Sequence, residues 1–216
     1  MQKLIPSPPA DQAALPRRGR PRAFDREAAL AKATRLFWEK GYEATSISDL
    51  TAIMGIAAPS LYAAFGSKEA LFAEALKFYC ESNSAFVWEN FFAADTAREA
   101  VRSFLVDSAA ALTGAVADIP RGCMVTLSSV GSEGHAGLGE LVQSTRAATL
   151  ERLMTRLGRA LEDGEIPPST NLLALARFVQ TVQAGMSILA RDGASTAELN
   201  EVAVIAMLGW DARLSS

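Results

Sequence analysis

GIAAPSLYAAFGSK, residues 55–68, holds four alanines, two serines, one tyrosine and one lysine, and nothing that could act as a catalytic acid or base. Gly55 suits a turn that needs positive φ, Pro59 suits the first turn of a helix, and Gly66 ends that helix at Phe65. The stretch therefore reads as a short, slim helix behind a tight glycine turn.

Upstream, Thr45 or Ser46 can cap a helix of barely two turns, and Ser46-x-x-Asp49 has the form of a capping box. Ile47, Leu50 and Met54 form its buried face, and with Ile56 and Leu61 they make one shared core. Two short helices joined this way are the pattern of a helix-turn-helix, whose second helix enters the DNA major groove. Before them, Asp25 caps a first helix that ends at Gly41, with Ala29, Leu30, Ala33, Leu36 and Phe37 on one stripe. After them, Ser67 caps a helix expected to run to about Phe92. Five more helices are expected at 97–118, 123–131, 138–163, 170–190 and 196–210, separated by proline- and glycine-containing breaks. Runs of alternating β-branched residues are hard to find, so the expected class is all-α: a small N-terminal bundle on a larger one.

Half of the 216 residues are hydrophobic, as expected of a folded chain. The net charge of −3 is unevenly spread: residues 1–40 carry nine Lys or Arg against four Asp or Glu, and residues 81–216 carry ten against sixteen. An anionic partner should meet the N-terminal end. Residues 1–22, with RRGRPR at 17–22, read as a flexible basic arm. No apolar run reaches the roughly 18 residues of a membrane span, and the N-terminus lacks the apolar core of a signal peptide, so a cytoplasmic protein without a membrane partner is expected. Cys80 and Cys123 match no metal spacing, His135 is the only histidine, and no metal or cofactor is expected. The GSEGHAGLG stretch at 131–139 has glycines loosely spaced like a phosphate loop, but no predicted strand precedes it, so it reads as a connector.

Residues 24–76 resemble the DNA-binding domain of the tetracycline-repressor (TetR) family of transcriptional regulators. The similar elements are Phe37 to Gly41-Tyr42, Thr45-Ser46-Ile47, Met54-Gly55-Ile56, and Ser60-Leu61-Tyr62 with Phe65 before Ser67-Lys68-Glu69. The resemblance implies a homodimer on palindromic operator DNA, with a recognition helix at about 58–65. It also implies a C-terminal domain that dimerises and binds a small, hydrophobic effector. On this reading residues 23–83 form the DNA-binding domain, with the helix-turn-helix at about 46–65, and residues 84–216 form the ligand-binding and dimerisation domain. The candidate DNA contacts are Arg17, Arg18, Arg20, Arg22, Thr45, Ser46, Ser48, Ala57, Ala58, Pro59, Ser60, Tyr62 and Lys68. Thr51 stands where the family usually has alanine, and Ala57, Ala58 and Ala64 replace side chains that are often polar. Shape readout and the arginine arm should therefore contribute much of the specificity.

Candidate effector contacts are Phe78, Trp88, Phe91, Phe92, Phe104, Met124, His135 and Met154, and PRGCMV at 120–125 is similar to one branch of the family. Two apolar stripes, containing Leu175, Val179, Val182 and Met186 and then Leu199, Val202, Ala206 and Trp210, are interleaved with small residues and are the candidate dimer interface. Two other readings stay open: a regulator of the same fold that senses oxidants through Cys80 or Cys123, and a small helical enzyme using Cys123, His135 and Glu133.

Overall fold

Local capping decides the N-terminal half. In the computed structural model, which describes residues 24–128 and 134–214, α1 (Arg26–Lys40) begins where the Asp25 carboxylate accepts the Ala28 N–H at 3.0 Å and stops at Gly41, φ 81°. α2 (Ile47–Met54) opens on a complete capping box: Ser46 Oγ accepts from the Asp49 N–H, and the Asp49 carboxylate accepts from the Ser46 N–H. Gly55, φ 72° and ψ 35°, provides the left-handed turn into α3 (Ala58–Phe65), with Pro59 in its first turn. The two helices meet at a bend of 92°. Thr51 fits there because its hydroxyl turns back to donate to the Ile47 and Ser48 carbonyls, both at 3.0 Å.

The expected helix from Ser67 to Phe92 is two: α4 (Lys68–Asn83) and α5 (Ala85–Ala93), bent at Ser84. The cause is the polar run ESNS at 81–84, where Asn83 Nδ2 donates to the Tyr79 carbonyl at 2.9 Å. Side chains of this kind compete with the backbone for partners. α6 (Ala97–Leu112) is also shorter than expected, because Thr113 Oγ1 donates back to the Ala109 carbonyl and Gly114, φ 76°, turns the chain. α7 is one turn, Met124–Leu127, where a helix to 131 was expected; residues 129–133 lie outside the described residues. α8 (Ala136–Glu162), α9 (Leu172–Arg191) and α10 (Thr196–Leu214) complete a fold without a strand among the described residues.

Two cores result. Leu30, Phe37, Leu50, Leu61, Leu71 and Phe72 form the first, and α7 and the start of α8 join it through Met124, Val125, Leu138 and Val142. Trp88, Phe104, Leu105, Leu153, Val179, Leu199 and Trp210 anchor the second.

The expected interface stripe belongs to this second core. Leu175, Val179, Met186, Leu199, Ala206 and Trp210 are buried, and Val182 and Val202 pack against them, all within one protomer. The opposite faces of the same helices are the open ones: Leu173, Phe178, Ile188 and Leu189 on α9, and Val204, Ile205 and Leu208 on α10. α9 also has the length and mean hydropathy, 1.4 over 18 residues, of a membrane span, with only 28% of that window buried. A search for unbroken apolar runs passes over it, since Arg177, Gln180 and Gln183 interrupt the sequence.

Candidate nucleic-acid interface and effector cavity

The corner between α2 and α3 presents a narrow surface. Leu61 and Phe65 point into the first core, while Ala57, Pro59, Ser60, Tyr62 and Ala63 are exposed, Tyr62 at 48%. Ser46 and Ser48 are exposed beside them, although Ser46 Oγ is already engaged in its cap. Thr45 is a correction: it is fully buried, and its hydroxyl donates to the Gly41 carbonyl at 2.6 Å, so it plugs the corner rather than facing outward. Ala58 is half-buried. Arg17, Arg18, Arg20 and Arg22 lie outside the described residues.

Lys68 lies at the start of α4 with its ammonium 4.2 Å from the centre of the Tyr42 ring. Burial and the neighbouring Glu69 charge push the Tyr42 hydroxyl up to about 12. His135, expected at an effector pocket, is here instead: its ring packs edge-on at 4.9 Å from that of Tyr42, between Glu43 (3.8 Å) and Glu69 (3.6 Å). Cys123 has different partners, accepting from the Tyr79 hydroxyl at 3.3 Å while its N–H donates to Ser187 Oγ. The thiol and imidazole of the enzyme reading are thus engaged separately, and Glu133 lies outside the described residues.

A cavity of about 950 Å³ opens between α4, α5, α6, α8 and α9, within the size range of small-molecule sites. Of the expected effector contacts, Trp88 and Phe104 line it. The others do not: Phe78 and Met124 belong to the first core, Phe91 and Met154 to the second, His135 packs on Tyr42, and Phe92 is 65% exposed beside a second, smaller hollow. Single aromatic residues were a poor guide because most of them are needed as core. The better signal is a polar stripe on helices that are otherwise packed: Thr145, Thr149 and Arg152 on α8, and Arg177, Gln180 and Thr181 on α9, all line the cavity.

The cavity wall is shared with the DNA-binding half. Trp38 of α1 lines it and donates its Nε1–H to the Gly122 carbonyl at 2.9 Å. The Arg191 guanidinium, at the end of α9, donates to the carbonyls of Trp38 (2.8 Å), Glu39 (3.0 Å) and Arg121 (2.9 Å). Arg121 in return donates to the carbonyls of Ala190 and Ala194, and Arg35 reaches Asp118 across the same seam.

A short exposed helix set at a right angle on a capped partner, with a ligand-sized cavity behind it, defines a helix-turn-helix transcriptional regulator. The comparisons agree. Residues 29–75 match the model of the bacterial regulatory proteins of the tetR family. The chain is 38% identical over 196 residues to the HTH-type transcriptional repressor ComR of Escherichia coli (strain K12), covering 89% of this chain and 92% of ComR. It is 51% identical to the repressor BdcR of the same organism over 61 residues, 28% of this chain and 31% of BdcR. A cysteine-substituted TetR family regulator, CifR, solved in complex with 26-bp double-strand operator DNA, superposes with a TM-score of 0.81 at 37% identity, covering 88% of this chain and 98% of CifR. The chain belongs to the tetR family of bacterial regulatory proteins.

Proposed function

We propose that this chain is a ligand-responsive repressor. As a homodimer it holds palindromic operator DNA through α3 and the arginine arm, and it lets go when a small molecule enters the cavity. Residues 23–83 would be the DNA-binding unit and 84–216 the ligand-binding and dimerisation unit, with α7 and the start of α8 bridging them through the first core. The observation that carries this reading is Trp38: one side chain belongs to α1, lines the cavity and bonds to the Gly122 loop. A ligand that changes the wall changes the seat of the DNA-binding helices. Their spacing on successive major grooves, about 34–36 Å, is what such a change would disturb.

Fluorescence anisotropy on labelled palindromic DNA from upstream of its own and neighbouring coding regions tests this. Affinity should fall about a thousandfold or more between about 50 and 200 mM salt, as counterions are released. Salt-independent binding, or binding to none of these sequences, would count against the proposal.

The thiol-sensing reading finds less support at Cys80. A sensor needs an accessible thiolate, and burial, with the nearby Cys123, pushes the Cys80 thiol up to about 11. From an ordinary value of 9.0, that lowers the thiolate fraction at neutral pH about a hundredfold. Iodoacetamide at pH 7 should therefore modify Cys80 about a hundredfold more slowly than a free cysteine peptide, followed by mass spectrometry.

A further inference from the structure

Resting on the cavity reading above, we infer that the effector is an amphipathic carboxylate, an apolar body ending in a single negative charge, rather than a neutral hydrophobic compound. The floor of the cavity is apolar, with Trp88, Phe104 and Leu112 all buried. Its rim is not: Lys77, Arg146, Arg152 and Arg177 line it, and no Asp or Glu does among the described residues. This concentration of cations is not what the surroundings predict, because residues 81–216 are acidic overall.

The four cations differ in how far they are already engaged. Lys77 lies 3.8 Å from Glu81 along its own helix. Arg146 donates to the carbonyls of Val125, Thr126 and Ser128 and so secures α7 to α8. Arg177 donates to the neutral Gln180 amide at 2.9 Å. Arg152, which lines both this cavity and the second hollow, has no hydrogen-bond acceptor or ion-pair partner among the described residues; its guanidinium carbon lies 4.8 Å from the centre of the Trp88 ring. Contact with an aromatic face holds a guanidinium in place while leaving N–H groups available to an acceptor. A free, oriented fork beside an apolar floor suits a carboxylate, which it can take in two parallel hydrogen bonds. The ligand's apolar body then lies on the apolar floor, and Arg177, which also lines the cavity, adds a second positive charge.

The test uses dodecanoate and naphthoate, each beside its primary amide, titrated into the full chain by isothermal calorimetry. Each titration is repeated on Arg152→Gln and Arg177→Gln. Both arginines are exposed, but Arg152 rests against the buried Trp88 ring, so the circular dichroism spectrum and melting curve of each variant are compared with those of the parent. At least one carboxylate should bind about tenfold or more tightly than its amide, and Arg152→Gln should bring that ratio close to one. If the amides bind as well as the acids, if no carboxylate binds, or if the ratio survives in both variants, the inference is overturned. The same mixtures are read for release of operator DNA. An acid that passes the calorimetric test but never releases DNA supports the ligand class and defeats ligand control. An amide that releases DNA while the acids neither bind nor act does the reverse.

Discussion

Ile205→Glu combined with Leu208→Glu should yield a folded monomer that has lost its hold on operator DNA. These side chains are 67% and 64% exposed, so the protomer's own core does not depend on them. They continue a surface that Val204 shares on α10 and that Leu173, Phe178, Ile188 and Leu189 extend on α9, with the Phe178 ring lying over Gly209. An apolar face of this kind is costly in water and is the expected seat of a second copy. Covering one large aliphatic side chain contributes about 1.5–3 kcal/mol, and a buried unpaired carboxylate costs more. Two such changes in each protomer should weaken the dimer at least about a thousandfold. Light scattering should give the mass of one chain, with a circular dichroism spectrum like that of the parent. A variant that still runs as a dimer would move the interface elsewhere. Charges placed instead at Val179 or Leu199 should unfold the protomer, since both are fully buried within it.

Gly122→Ala should be strongly destabilising, more so than Gly55→Ala. Gly122 has φ 79°, where an L side chain is strained, and its added Cβ would lie 2.5 Å from Leu127 Cδ1 and 3.0 Å from the Ser187 carbonyl oxygen. The leucine tip can move; the α9 backbone cannot do so without disturbing the helix. Strain and overpacking together should cost about 2–5 kcal/mol, a fall in Tm of roughly 5–15 °C for a chain of this size. Gly55→Ala is the control. Its φ is 72°, but nothing lies within 4 Å of the new Cβ, so it bears the conformational strain alone. Melting curves in which both variants match would show that the loop yields, and that Gly122 is no fixed support for the Trp38 indole.

The N-terminal helices were legible because their boundaries are written locally. Asp25, Ser46, Gly55, Pro59, Gly66 and Ser67 each do in the fold what their chemistry dictates within a turn of their own position. Where side chains act back on their own helix, the reading ran too long: Asn83 and Thr113 each donate to a carbonyl four residues earlier, one at the bend into α5 and the other at the end of α6. The stripe assigned to the dimer face is buried in the protomer for a different reason. α9 and α10 are apolar on two sides, and periodicity alone cannot say which side meets a partner and which meets α6 and α8. Small residues suggested close approach between chains, yet Ala203 and Ala206 are buried within the protomer. His135 was named among the effector contacts, but its partners at Tyr42, Glu43 and Glu69 are distant from it in sequence, so its place could not be read locally.

Arg191 has one more consequence. α9 carries part of the proposed partner-facing surface on its outer side, and its last residue holds the final carbonyls of α1. In the proposed dimer, the path from the two-fold axis to each DNA-binding unit would include a helix and a three-carbonyl clamp, with no slack loop between them. One inserted base pair separates two half-sites by a further 3.4 Å or so and rotates one against the other by about 35°. A stiff frame cannot follow both movements at once, so the repressor should be a strict judge of operator spacer length, even though its slim recognition helix has few side chains with which to judge the bases themselves.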